Sequence, residues 1–208
     1  MEEYIPEITD NEIKENHAHL SERFSIYKKK GLDVMRVREL ILDRLYPLEG
    51  GILEIGAGNG YTTLALAKAG YRVVAVDTDR EALRTAALNL AYENALSNVR
   101  FYVMDGESLA FEDRSFGNVV GVNLFHHLTD AGGVLSEADR VLCAGGRLVS
   151  ADFNKRGLEV VGSVHTEEGR VHESSGVTQE QVYSCLHDMG YEIEPYDERH
   201  HWVLIARK

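Results

Sequence analysis

The stretch Gly51-Ile52-Leu53-Glu54-Ile55-Gly56-Ala57-Gly58-Asn59-Gly60 constrains this chain more than any other, because a short apolar run passes directly into three alternate glycines. Ile52, Leu53 and Ile55 predict a central parallel strand covered on both faces. Gly56, Gly58 and Gly60 then predict a tight loop that opens a helix over residues 61–69, with Gly70 as its stop. Each glycine lets backbone approach something that a Cβ would exclude, and a ligand is the expected neighbour. The unpaired N–H groups of the helix's first turn face the same space and suit polar or anionic ligand atoms. The glycine spacing decides between cofactors. A dinucleotide fingerprint has glycines at its first, third and sixth positions, whereas here Tyr61 follows the third glycine and its bulk blocks close contact between helix and strand. A nicotinamide cofactor is therefore the weaker reading.

Downstream, strand patterns alternate with helix patterns, which predicts a parallel sheet layered by helices. Residues 71–76 are valine-rich and end at Asp77. Asp79 reads as the N-cap of a helix over residues 80–94, with Leu83, Ala87 and Leu90 as its buried stripe. Val99, Phe101 and Val103 mark a third strand ending at Asp105-Gly106, residues 118–123 a fourth, and a fifth ends at Asp152. The carboxyl ends of these strands share one edge, where open α/β sheets bind ligands. Asp77, about twenty residues beyond the glycine loop, is expected to accept from both ribose hydroxyls of a nucleoside. Asp105 is either an ordinary turn acid or a second ligand contact.

Glu54-x-Gly56-x-Gly58-x-Gly60 resembles the first motif of the class I S-adenosylmethionine-dependent methyltransferases, in which an acid precedes a G-x-G-x-G loop. The run from Asp105-Gly106-Glu107 through Phe111 to Phe116 resembles the family's stretch in which an Asp meets the adenine amino group and two phenylalanines anchor the loop. Arg140-Val141-Leu142-Cys143-Ala144-Gly145-Gly146-Arg147-Leu148 resembles its R-V-L-K-P-G-G-x-L. The chain departs from the family at Gly117, where an Asp is usual, and at Cys143 and Ala144, which replace Lys and Pro. Gly117 is expected to affect the start of the fourth strand, and Cys143 to fill a turn rather than act as a nucleophile. The resemblance implies an S-adenosyl-L-methionine-dependent methyltransferase acting on a small molecule by direct displacement. Its implied cofactor contacts are Glu54, Gly56, Ala57, Gly58, Gly60, Asp77, Thr78, Asp105, Gly106 and Asn123. Its implied fold is a doubly wound, Rossmann-like α/β sheet of seven mostly parallel strands, with a C-terminal antiparallel strand and helices on both faces. Two other functions share that scaffold: another transferase, such as an aminopropyltransferase, and a non-catalytic adenosylmethionine-binding regulatory protein.

Leu124-Phe125-His126-His127-Leu128 follows the fourth strand, and adjacent residues point differently, so at most one of the two histidines is expected to face substrate. In methyltransferases of the phosphoethanolamine kind, a histidine similarly placed pairs with an N-terminal tyrosine. That likeness implies His127 as a proton acceptor with Tyr27 beside it. The alternative is a pair that packs against the following helix. Thr9 or Asp10 predicts the cap of a short peripheral helix carrying Ile13, His17 and Leu20, and Lys28-Lys29-Lys30-Gly31 a solvated corner. Val34, Val37, Ile41 and Leu45 form the stripe of a second helix that Pro47 ends. Residues 153–177 hold four glycines and little apolar periodicity, and are expected to form a substrate-side lid. A metal site of Asp152, His165 and His172 matches no strong ligand spacing, and none is expected. Thr178-Gln179-Glu180-Gln181 opens a helix that stops at Gly190, and a closing hairpin follows over residues 191–195 and 202–206.

With 208 residues, 44% of them hydrophobic, the chain is expected to form one domain. Its expected parts are a helical cap over 1–48, a cofactor-binding core over 49–152, an insertion over 153–177 and a closing helix and hairpin over 178–208. A net charge of -12 without a dense basic run argues against nucleic acid or an anionic membrane as partner and leaves a small molecule. Cys143 and Cys185 cannot supply a Cys-rich zinc site or the relay of the arsenite methyltransferases, and with no long apolar run they predict a reduced, cytoplasmic protein. Substrate identity is expected to reside in residues 1–30 and 153–177.

Overall fold

The computed structural model describes residues 2–169 and 176–208. Its elements run α1 (Asp10–Lys29), α2 (Arg36–Leu45), β1 (Ile52–Ile55), α3 (Tyr61–Lys68), β2 (Val73–Asp77), α4 (Arg80–Tyr92), β3 (Val99–Val103), β4 (Phe116–Val122), α5 (Gly132–Val141), β5 (Leu142–Phe153), α6 (Lys155–Glu167), α7 (Gln179–Asp188), β6 (Glu192–Asp197) and β7 (His201–Arg207). The seven strands form one sheet in the order β3-β2-β1-β4-β5-β7-β6. β1 to β5 pair in parallel, and β7 runs antiparallel between β5 and β6. The expected architecture is therefore present, and the reversal of strand order between β1 and β4 opens the crevice where such sheets bind ligands.

Alternation along β1 assigns the two faces. Leu53 and Ile55 join the core under α5 and α7, while Ile52 joins the core under α2 and α3. Glu54 points to the second face and is the one charged side chain in a strand buried along its whole length. A third cluster, with Ala75 and Phe101 from the sheet and Leu83, Ala87 and Leu90 from α4, completes the layering on that side.

Three expectations change. The first helix is neither short nor peripheral: α1 has 20 residues, absorbs Lys28 and Lys29 in its last turn, and packs on α4 and α6. Thr9 and Glu12 form its capping box, and His17 stacks on Tyr92 of α4 with ring centroids 3.4 Å apart. Residues 155–167 are not a lid loop but the helix α6, capped by Asn154, with Gly157, Val161 and Val164 buried. A Cβ on Gly157 would lie 2.2 Å from the carbonyl oxygen of His200, so a glycine on the buried face is what lets this helix sit down and also what hid it in the sequence. The turn expected around Cys143 is a bulge inside β5: Phe116 pairs with Leu142 but Asn118 with Arg147, leaving residues 143–146 to loop out. Gly117 sits opposite this bulge, where a Cβ would come within 2.4 Å of the Glu49 carbonyl oxygen, so the Asp usual in the family has no room. The Cys143 thiol donates to the carbonyl of Arg114 at 2.9 Å. Among the described residues, no helix is long and apolar enough to cross a membrane.

Candidate functional site

The strand ends converge on a cleft in two halves. The outer half is lined by Asp77, Thr78, Asp79, Met104, Asp105, Gly106, Leu124 and Leu128, among others. The inner half lies between the sheet and the roof made by α1, α2 and α6, and is lined by Arg23, Tyr27, Arg38, Glu54, Ala57, Tyr61, His126, His165 and His201, among others. Gly56, Gly58, Asn123 and His127 line both, so the halves are continuous and meet at a waist formed by the glycine loop and the end of β4.

The three glycines have different reasons. All have positive φ, at 72°, 51° and 75°. A Cβ on Gly56 would meet Leu124 Cδ1 at 2.7 Å, and one on Gly60 would meet Ala86 Cβ at 2.5 Å, so these two serve packing against the protein itself. Only Gly58 faces open space, with nothing within 4 Å. The expectation that each glycine makes room for a ligand narrows to this one. The loop is tied to β2: the N–H groups of Gly56 and Ala57 donate to the Val76 carbonyl at 2.9 and 3.0 Å, and that of Gly58 to Asp77 Oδ2 at 2.7 Å. Asp77 Oδ1 accepts from the Asp79 N–H at 2.9 Å, while Asp79 caps α4. Asp105 is exposed and accepts from the Glu107 N–H at 2.9 Å. Arg140 fixes the loop beyond it by donating to the carbonyls of Leu109 and Phe111, and Phe111 packs edge-on against Phe116 at 5.1 Å.

The inner half is electrostatically unusual. Glu54 is 1% exposed and accepts from Thr63 Oγ1 at 2.5 Å. Burial pushes its carboxyl up to about 8, against the opposing effects of Thr63 and Arg38. Arg38, 4% exposed, is pulled down to about 10 by burial, with Glu54 acting against the shift. Its Nη1 donates to the Val34 carbonyl at 2.8 Å, and its Nε has no partner. His201 enters at the start of β7, which the antiparallel pairing with Phe153 brings to the ligand edge. Its ring is held well below the ordinary histidine value, chiefly by burial and then by Arg38, and Nε2 has no partner. Asn123, in a left-handed conformation at φ 57°, likewise has Oδ1 buried and unpartnered.

The histidine pair divides as adjacent residues should. His126 is buried, with its backbone N–H on Asp152 Oδ2 at 2.8 Å and its Nδ1 2.7 Å from Asp152 Oδ1. His127 is exposed at the waist, its ring centroid 3.9 Å from that of His126. Tyr27 is buried under the roof, and its Oη accepts from Arg23 Nη2 at 3.4 Å. The cleft thus gathers all the candidate residues except Gly60, which lies behind the loop. Sequence reading missed Arg23, Arg38, His201 and the His126–Asp152 contact. For Arg38 a signal existed, since it sits beside Val37, Ile41 and Leu45 on the face that α2 buries. His172 lies outside the described residues, Asp152 is committed to His126, and no group of three or more His, Cys, Asp and Glu side chains among the described residues could hold a metal.

An adenosylmethionine fits these residues: the outer half offers two strand-end carboxylates, and the inner half offers the spare Nε–H of Arg38 and the unpartnered Asn123 amide oxygen to the polar tail. Comparison with known proteins agrees. A family described as a methyltransferase domain matches residues 53–150. The 27-O-demethylrifamycin SV methyltransferase of Amycolatopsis mediterranei is 30% identical over 183 residues, 81% of this chain and 67% of its own. An uncharacterized methyltransferase of Bacillus subtilis, YcgJ, is 36% identical over 104 residues, half of this chain but only 41% of its own length. The fold is shared with the (4+2)-cyclase SpnF, at a TM-score of 0.68 and 16% identity over 85% of this chain and 81% of that one. The chain belongs to the class I S-adenosylmethionine-dependent methyltransferase family.

Proposed function

We propose that this chain is an enzyme that transfers a methyl group from S-adenosylmethionine to a small-molecule acceptor held in the inner half of the cleft. The observation that carries the proposal is the waist, where Gly56, Gly58, Asn123 and His127 border both halves and Asn123 Oδ1 is buried without a partner. By chemistry, a nucleoside suits the outer half, with Asp77 and Asp105 for its polar groups and Met104, Leu124 and Leu128 as apolar wall. A zwitterionic tail suits the deep end of the inner half, where Arg38 offers a spare N–H to a carboxylate and Glu54 lies near for an ammonium. Burial keeps the Glu54 carboxyl protonated near neutral pH until an opposite charge arrives, whereas Arg38, though pulled down to about 10, stays charged.

Bound adenosylmethionine supplies a methyl group on a sulfonium, already activated for displacement. The chain's own work is to exclude water and hold the acceptor in line, which is worth up to about 7–11 kcal/mol of barrier in well-oriented systems. His127 is our candidate proton acceptor: partial desolvation at the cleft wall and the neighbouring His126 hold its imidazole below its ordinary value, so it stays unprotonated at neutral pH. Tyr27 lines the same chamber and is its candidate partner. His126, tied to Asp152, fixes the segment that carries His127. The name of the rifamycin relative supports a small organic acceptor, and the net charge of -12 favours one over nucleic acid. The two free cysteines fit a reducing, cytoplasmic setting.

A fold shared with a cyclase requires that activity be tested directly. S-adenosylhomocysteine should bind by calorimetry, and methyl-labelled adenosylmethionine should pass label to a member of a panel of phenols, amines and acids. No binding would overturn the proposal. Tight binding without transfer would favour the regulatory reading, and cleavage to methylthioadenosine the aminopropyl one.

A further inference from the structure

Five buried side-chain nitrogen or oxygen atoms among the described residues lack a hydrogen-bond partner, and four of them, Arg23 Nε, Arg38 Nε, Asn123 Oδ1 and His201 Nε2, belong to residues that line the inner chamber. Native interiors leave few such groups, so their convergence on one cavity marks ligand chemistry rather than chance. The charge of the chamber is the reverse of the chain's. Its walls carry two arginines and four histidines against a single acid, Glu54, in a protein with a net charge of -12.

The two arginines lie at different stations. Arg38 feels Glu54, Tyr61 and Asp152 and sits at the deep end, where the proposed function assigns it the cofactor's carboxylate. Arg23 feels Tyr27, Glu168 and Tyr61, in the roof between α1 and α6. Its Nη2 is 3.4 Å from Tyr27 Oη and 3.2 Å from His165 Nε2, while its Nε is 3.4 Å from Glu168 Oε1 without hydrogen-bond geometry. The roof is fixed by Lys30, which donates to Ser163 Oγ at 2.8 Å and pairs with Glu167 at 2.6 Å. One cofactor brings one carboxylate, and the chamber holds a second cationic station.

We propose that the methyl acceptor is an organic anion, a carboxylate or a phosphate, and that Arg23, framed by Tyr27 and His165, receives its charged group. Glu168 occupies one side of Arg23 in the ligand-free protein and competes with the acceptor's anion. This inference rests on the cofactor assignment above, which S-adenosylhomocysteine binding tests separately.

The test titrates the S-adenosylhomocysteine-loaded protein with benzoate, phenyl phosphate and inorganic phosphate, and with the neutral benzamide and benzyl alcohol. The anions should bind at least about tenfold more tightly than the neutral compounds, as a charge-assisted contact requires, and the tighter of benzoate and phenyl phosphate names the group. Arg23→Gln should erase that preference with S-adenosylhomocysteine affinity held within about twofold, whereas Arg38→Gln should lower S-adenosylhomocysteine affinity and spare the preference. Glu168→Gln should tighten anion binding, and this variant decides the matter if Arg23→Gln is poorly folded. Equal binding of neutral and charged probes, anion affinity indifferent to Arg23→Gln, or no tightening in Glu168→Gln would each overturn the proposal. A loaded complex that fails to form would sink the cofactor assignment instead.

Discussion

The outer and inner halves of the cleft differ in who satisfies their polar groups. In the outer half, the protein's own backbone does so: both Asp77 oxygens accept from N–H groups of Gly58 and Asp79, and Asp105 accepts from Glu107. In the inner half, Arg23, Arg38, Asn123 and His201 each keep a buried atom without a partner. An unmet buried polar group costs about 1–3 kcal/mol, a cost that a ligand's polar atoms relieve. The outer half is therefore a preformed cradle that is stable by itself, while the inner half is completed by what it binds.

The largest contrast lies within the glycine loop. Gly60→Val should cost about 4 kcal/mol, from a side chain driven against Ala86 in a left-handed conformation, and chemical denaturation should register it. A Cβ on Gly58 meets nothing within 4 Å, so Gly58→Val should lose only about 1–2 kcal/mol of stability, to backbone strain. Its S-adenosylhomocysteine affinity should nevertheless fall at least about a hundredfold, near 2.7 kcal/mol. Equal losses of stability in the two variants would break the distinction between packing glycines and a ligand glycine.

The histidine pair sharpens the same line. His126→Ala removes the imidazole that faces a carboxylate 1% exposed and should cost about 3 kcal/mol of stability. His127→Ala should change stability by under about 0.5 kcal/mol but lower turnover roughly a hundredfold with S-adenosylhomocysteine affinity intact. Stability and turnover falling together in both would reduce the pair to a structural one.

Glu54 gives the pH signature of the inner half. Its folded value, about 8, lies above its ordinary 4.5, so the stability contributed by the neutral carboxyl is complete below 4.5 and is lost as pH rises through about 8. Between those limits the ligand-free protein should weaken by about 1.4 kcal/mol per pH unit from this group, and Glu54→Gln should flatten the slope. Identical profiles for the two proteins would show that Glu54 is ionised in the folded state.

The smallest effect expected is that of Asp77→Asn, which keeps one acceptor oxygen and turns the other into a donor facing a backbone N–H. About 1 kcal/mol of stability and about tenfold in S-adenosylhomocysteine affinity should go. A stability loss without an affinity loss would make Asp77 a loop tether only.

The same division governs what the sequence could tell. The outer half and the waist are written in contiguous stretches, a strand followed by its own terminal acid or glycine, so Gly58, Asp77, Asp105 and Asn123 were legible with the sheet that carries them, as was Glu54 of the inner half, which lies in the same run as the glycines. The inner half is assembled from α1, α2, α6 and β7, elements far apart in the chain, and its residues have meaning only through burial by one another. Arg38 alone left a local signal, a charge on an otherwise apolar stripe, and that signal was passed over. His201 became a chamber residue through the β5–β7 register, which no local pattern encodes. α6 was missed because Gly157 and Gly162 interrupt its stripe, although Val161 and Val164 carry it.

The most direct measurement is a crystal structure of the S-adenosylhomocysteine complex. The account predicts the adenosine between Asp77 and Asp105, and the homocysteine tail passing Gly58 so that Asn123 Oδ1 and Arg38 Nε gain partners. A ligand seated elsewhere, or one whose tail leaves both atoms unpartnered, would contradict it.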